Sequence, residues 1–211
     1  MIENDDKPIL WYFADPMCSW CWGFSPVISE IKKNYASQLR IALVMGGLQA
    51  GETRPISASS REEIFHHWHQ VEELAGQAFS FENALPDGFI YNTEPACRAV
   101  TTVSAIDATK TFAYFTAIQS AFYTQNKDVT QTDCLLQLAE ESRIRGDKFM
   151  VQFLSEKQQE IVNKNFAFTR KAGVQAFPTL ILNKSDQLDI ITRGYAKYRN
   201  IAVALDKLLA N

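Results

Sequence analysis

Cys18 and Cys21 stand two residues apart in Cys18-Ser19-Trp20-Cys21, after the apolar run Ile9-Leu10-Trp11-Tyr12-Phe13 and at the start of a helical pattern. Two thiols at that spacing can close a small disulfide ring, which suits dithiol–disulfide chemistry. A helix start also surrounds one thiol with backbone N–H groups that lack helical partners, and these favour its thiolate. Half of a zinc site is the competing use of such a pair. Ser19 and Trp20, lying between the thiols, set the redox poise, and Trp20 and Trp22 offer apolar surface or packing. Asp15 precedes Cys18 by three residues, with Pro16 next to it. It reads either as a helix cap or as a proton relay to the cysteines. As a carboxylate that close, it should also raise the thiol pKa.

Weaker candidates lie further along. Cys97 and Cys134 are expected as small buried residues, a second disulfide or a relay to the first pair. Neither brings the second pair at ligand spacing that a zinc site would need. His66 and His69 of His66-His67-Trp68-His69 share a helical face, but no acidic or cysteine ligand stands at matching spacing. That segment reads as a solvated face, and no metal is expected. Arg54 and Arg98, with Asn92-Thr93, are read as surface groups or as lining a cleft where they would hold a carboxylate such as glutathione's.

The elements that must position these groups follow from periodicity. Lys7 to Phe13 and Leu39 to Met45 read as buried strands, and Phe24, Val27, Ile28, Ile31 and Tyr35 recur at helical spacing between them. The result is a β-α-β unit with parallel strands. From 57 to 146 the pattern is helical. Ser60-Arg61-Glu62-Glu63 reads as a capping box, and Asn92-Thr93-Glu94-Pro95 as a helix start with proline in the first turn. One long helix is predicted from Asp147 to Ala172. Thr179–Leu182 and Leu188–Ile191 read as an antiparallel hairpin around Asn183-Lys184-Ser185-Asp186, and a final amphipathic helix carries Tyr198, Ile201, Leu205 and Leu208.

Composition narrows the class. With 211 residues, 46% hydrophobic and 21% charged, the chain is an ordinary globular one with a sizeable core. A net charge of −3 gives no basic footprint for nucleic acid, and no apolar stretch is long enough for a membrane span. The start, Met1-Ile2-Glu3-Asn4-Asp5-Asp6-Lys7, is acidic where a secretory signal is basic and then apolar. A cytoplasmic chain is expected, although a periplasmic one that had lost its signal would read the same. In a reducing compartment four cysteines point away from a structural disulfide framework. Nothing here fixes the oligomeric state.

The order of elements and several residues resemble the thioredoxin fold in its DsbA-like branch. The resemblance rests on Cys18-Ser19-Trp20-Cys21 after the first strand, Pro26 within the following helix, Ala176-Phe177-Pro178-Thr179 at a strand start, and Gly194 before the last helix. The stretch from Tyr12 to Phe24 with Gly46-Gly47-Leu48 resembles a bacterial group of predicted protein-disulfide isomerases. Asn92-Thr93, Arg98 and the region from Phe122 to Leu138 resemble the related FrnE-type proteins. This implies an α/β thioredoxin fold, β-α-β … β-β-α, over 1–56 and 147–211, with an all-helical insertion at 57–146 between the second and third strands.

The resemblance further implies a thiol–disulfide oxidoreductase in which Cys18, the more exposed sulfur, is the nucleophile and Cys21 resolves the mixed disulfide. It implies a cis bond before Pro178 and a loop in which Phe177 and Pro178 bind the substrate backbone. No tightly bound cofactor is implied; glutathione or a redox protein would reset the dithiol, and protein or peptide thiols would be substrates. In one respect the chain departs from thioredoxin: Ile9 to Phe13 offer no buried acid on the first strand. Two other functions stay open, a glutathione-dependent small-molecule isomerase or transferase and a non-catalytic peptide-binding module.

Overall fold

The computed structural model describes residues 7–210. The acidic stretch 1–6, on which the expectation about compartment rests, lies outside them. Strands β1 (Ile9–Ala14), β2 (Arg40–Met45), β3 (Thr179–Lys184) and β4 (Gln187–Arg193) form one sheet in the order β2-β1-β3-β4. β1 and β2 are parallel; β3 runs antiparallel to both β1 and β4. A parallel pair needs a crossover, which helix α1 (Ser19–Tyr35) supplies.

β1 is apolar throughout because both its faces are covered. Leu10, Tyr12 and Ala14 join the large core with Phe24, Ile28 and Ile31 of α1 and with Ile201 and Leu205 of the last helix, Tyr198–Leu209. Phe13 turns the other way and meets Val44, Ile181 and Phe168.

Five helices follow β2: α2 (Ala58–Ala75), α3 (Glu94–Ile106), α4 (Thr111–Gln125), α5 (Thr132–Glu141) and α6 (Gly146–Phe153). Then α7 (Glu156–Lys171) returns the chain to the sheet, and α8 is the last helix. This is the thioredoxin order with helices inserted between the second and third strands. Among the described residues no helix is long and apolar enough to cross a membrane.

Two local readings need correction. The single helix predicted from Asp147 to Ala172 is broken at Leu154-Ser155, giving α6 and α7. Ser155 leaves the helical conformation and its hydroxyl accepts the Gln158 N–H at 3.2 Å, an N-cap that restarts the helix. In α2 the cap is Ser57, whose side chain accepts the Ser60 N–H at 3.1 Å, so Ser60-Arg61-Glu62-Glu63 lies inside the helix and is not a capping box. At α3 the proline stands in the first turn as expected. The β3–β4 hairpin turns through Ser185 and Asp186, both at positive φ (51° and 64°).

Candidate active site

β1 delivers the chain to a turn, Asp15-Pro16-Met17, that ends on Cys18. The Cys18 N–H donates to the Asp15 carbonyl at 3.1 Å, and Cys18 itself is the N-cap of α1. Its Sγ lies 3.6 Å from the Phe177 carbonyl oxygen, toward which the thiol can donate. Cys21, one turn into the helix, is 0% exposed against 5% for Cys18. Burial first, and then the neighbouring Cys18, push the Cys21 thiol well above an ordinary cysteine; the Asp15 charge adds to this, while an Asp15 backbone hydrogen bond pulls the other way.

Pro26 lies inside α1 and has no N–H for the Trp22 carbonyl four residues back. Gln77, from the loop after α2, supplies the missing donor: its Nε2 reaches the Trp22 carbonyl at 3.1 Å and the Ser25 hydroxyl at 2.7 Å. The helix that carries both cysteines is therefore repaired from the insertion. Trp22 packs inward, stacked on Tyr123 with its Nε1 donating to the Ala78 carbonyl at 3.1 Å.

Asp15 does not cap α1, because Cys18 takes that place. The Asp15 carboxyl is fully buried and turned toward its own turn and the next loop. Oδ1 accepts the Met17 N–H at 2.9 Å; Oδ2 accepts the Leu48 N–H at 2.7 Å and faces the Cys97 thiol at 3.4 Å. Burial raises its pKa, outweighing the backbone bonds from Leu48 and Met17 and the side-chain bonds from Thr93 and Cys97. All four cysteines are free thiols, so Cys97 and Cys134 form no second disulfide. Cys97 is the buried partner of Asp15, and Cys134 is half-buried on α5.

A cleft of about 670 Å³ opens beside Cys18, within the range of small-ligand pockets. One wall is Cys18, Ser19 and Trp20, and Phe177 closes an end. The peptide bond between Phe177 and Pro178 is cis, and Pro178 is buried. The Phe177 ring fits because residue 46 is glycine: a Cβ there would fall 2.3 Å from the ring. The opposite wall comes from the loop after β2 and from α2: Leu48, Glu52, Arg54 and Ile64, with His67 facing in. Glu52 accepts the Arg54 backbone N–H at 3.0 Å and the Arg54 side chain at 3.3 Å, and these hold its carboxyl at about 2.

Of the two arginines weighed as surface or cleft groups, Arg54 lines the cleft and Arg98 does not. It pairs with Glu94 at 3.0 Å, donates to the Phe153 carbonyl at 3.2 Å and covers the Phe153 ring, because its neighbours on α3 face the other helices. Asn92 and Thr93 also do not line the cleft. Asn92 Oδ1 accepts the Gly51 N–H and Thr93 Oγ1 the Gln49 N–H, so they pin the wall loop from behind. The histidines disperse: His66 bonds Gln70, His69 lies flat on Phe81, and only His67 reaches the cleft. Among the described residues no three His, Cys, Asp or Glu are grouped to hold a metal. Gln49, in the loop after β2, and Tyr91 are wall positions that sequence patterns did not single out.

A family model described as thioredoxin matches residues 11–202. The chain belongs to the thioredoxin family. Among solved structures, this thioredoxin-family chain is similar to a candidate protein disulfide isomerase from Nitrosomonas europaea, with 42% identity, a TM-score of 0.93, and 97% of this chain and 98% of that one covered. It is also similar to the cytosolic disulfide reductase DsbM from Pseudomonas aeruginosa, at 24% identity and a TM-score of 0.80 over 96% of this chain and 98% of that one. DsbM has also been solved with GSH. A curated relative, the ClpXP adapter protein SpxH of Halalkalibacterium halodurans, is 22% identical over 98% of this chain and 70% of its own length. The chain spans 58% of the SpxH of Bacillus subtilis. With these DsbA-like relatives and this dithiol, the chain is a thiol–disulfide oxidoreductase.

Proposed function

We propose that the chain is a disulfide reductase that works through Cys18 and Cys21 and is reset by glutathione. Cys18 attacks one sulfur of a substrate disulfide; the S–S bond breaks, and the departing half takes a proton. Cys21 then attacks Cys18 Sγ, freeing the second half as a thiol and leaving a Cys18–Cys21 disulfide. Two glutathione thiols restore the dithiol and become glutathione disulfide. No dissociable cofactor is needed. The observation that carries this reading is the position of Cys18 Sγ at the wall of the 670 Å³ cleft, with the fully buried Cys21 one turn behind it.

The environment of the resolving sulfur supports this direction: burial holds the Cys21 thiol protonated. A dithiol whose thiolate is not strongly stabilised gives up electrons readily, and that is the reductant's side of the scale. Phe177 and Pro178 would hold an extended substrate backbone, and Trp20 and Leu48 its apolar part. We place the chain in the cytoplasm, where glutathione is the abundant thiol; DsbM, named a cytosolic reductase and solved with GSH, supports this.

Mass spectrometry after incubation with glutathione disulfide tests the cycle. Cys21→Ser should retain one glutathionyl group on Cys18, whereas the unaltered chain should pass through that adduct to the Cys18–Cys21 disulfide. Full activity of Cys21→Ser with a glutathione requirement would instead indicate an isomerase or transferase. Peptide capture indifferent to Cys18→Ser, with no adduct, would indicate a binding module.

A further inference from the structure

Tyr12 stands on the first strand where no acid is found, and it is fully buried. Its hydroxyl makes no hydrogen bond of normal geometry. A buried hydroxyl without a partner destabilises the fold, so its place calls for a reason. The ring packs on Phe24 with centroids 5.7 Å apart. Phe24 follows Cys21 by three residues on α1, so Cys21 stands one turn away on the helix face that Tyr12 packs against. Burial, and after it the Cys21 sulfur, push the Tyr12 hydroxyl well above an ordinary phenol. It keeps its proton at physiological pH and acts as a donor.

We propose that the Tyr12 hydroxyl donates a hydrogen bond to the Cys21 sulfur as that sulfur becomes anionic, and so hastens its attack on the mixed disulfide at Cys18. The inference rests on the dithiol cycle proposed above. In this step a bond forms between Cys21 Sγ and Cys18 Sγ, and the bond from Cys18 Sγ to the substrate sulfur breaks. The substrate sulfur leaves with the electron pair; the proton lost by Cys21 balances the one gained by the departing thiol. Tyr12 keeps its own proton throughout.

The other titratable groups around this contact do not replace it. Cys18 is the reaction partner, and the Asp15 carboxylate opposes negative charge on Cys21. The Tyr91 hydroxyl donates to the Met17 carbonyl. The Tyr123 hydroxyl, from α4, is also buried without a partner; burial, then Tyr91 and Cys18, and last Cys21 hold it above an ordinary phenol.

The test is the reaction with the chromogenic disulfide dithiobis(nitrobenzoate), in a Cys134→Ala background that removes the half-buried thiol. A first release of thionitrobenzoate reports attack by Cys18, and a second reports attack by Cys21. Tyr12→Phe should leave the first phase unchanged. It should slow the second about tenfold at neutral pH and displace its pH profile upward by about one unit, as expected for loss of a charge-assisted hydrogen bond. Phe24→Leu, which loosens the same packing and keeps the hydroxyl, should leave the profile in place. An unchanged second phase in Tyr12→Phe would overturn the inference while the dithiol cycle stands. Absence of a second phase in the unaltered chain would overturn both.

Discussion

Asp15 lies inside the protein with four hydrogen-bond donors around it, and burial still outweighs them in setting its proton affinity. A carboxyl whose pKa is higher in the folded than in the unfolded chain is relatively favoured by folding when protonated. Its contribution is fully present below its unfolded value of about 3.9 and is lost as pH rises through the raised folded value. Relative to Asp15→Asn, the unaltered chain should therefore lose stability across that window and run parallel above it. Urea unfolding of both chains between acid and neutral pH checks this; a difference that grew in favour of the unaltered chain would contradict it. The same carboxylate opposes the thiolate of Cys21. With the donor proposed for Tyr12, the resolving thiol answers to a hydrogen bond on one side and a repelling charge on the other.

Helix α1 couples the dithiol to the inserted helices. Its proline frees the Trp22 carbonyl, and Gln77 answers it across the boundary with the insertion. Gln77→Met keeps the length of the stem and removes the donor, so it should cost about 1–2 kcal/mol, read as a lower denaturation midpoint. Cys18 lies at the N-cap, ahead of that repair, and its first reaction phase should be unchanged.

At this scale the sequence was most legible where one period ran uninterrupted. The apolar run of β1 and the spacing of Phe24, Val27, Ile28 and Ile31 announced a strand and a crossover helix, and both are there. The break between α6 and α7 is hidden in the sequence, because the good helix formers Glu156 to Glu160 follow it with no Gly or Pro to mark it, while a single serine hydroxyl caps the helix that restarts. Ser155-Glu156-Lys157-Gln158, a hydroxyl three residues ahead of a glutamine, was the available signal. At α2 the reverse occurred: a plausible box at Ser60 lay one turn inside a helix already capped by Ser57.

Across the whole molecule, the site is assembled from segments far apart in sequence, and legibility falls with that separation. The Cys18–Cys21 pair and the Phe177-Pro178 loop carried their own local signatures. Gln49, Ile64 and Tyr91 did not, because what brings them to the cleft is the packing of the inserted helices over the first β-α-β unit. Tyr12 reads as one more apolar strand residue, since only the fold shows its hydroxyl buried without a hydrogen-bond partner. Arg98, open between surface and cleft in the sequence, is decided only by the fold for the same reason: helical position alone does not say which neighbour a side chain will meet. The insertion thus builds one wall of the cleft and braces α1, leaving Cys18 at the junction. The most direct test is the reduction potential of the Cys18–Cys21 pair, from equilibration in glutathione buffers with alkylation and mass spectrometry of the two thiols. A single intramolecular disulfide with a potential near the roughly −270 mV of thioredoxin is the expected result. A potential near about −120 mV would contradict the proposed direction, and failure of the two sulfurs to join would contradict the dithiol cycle itself.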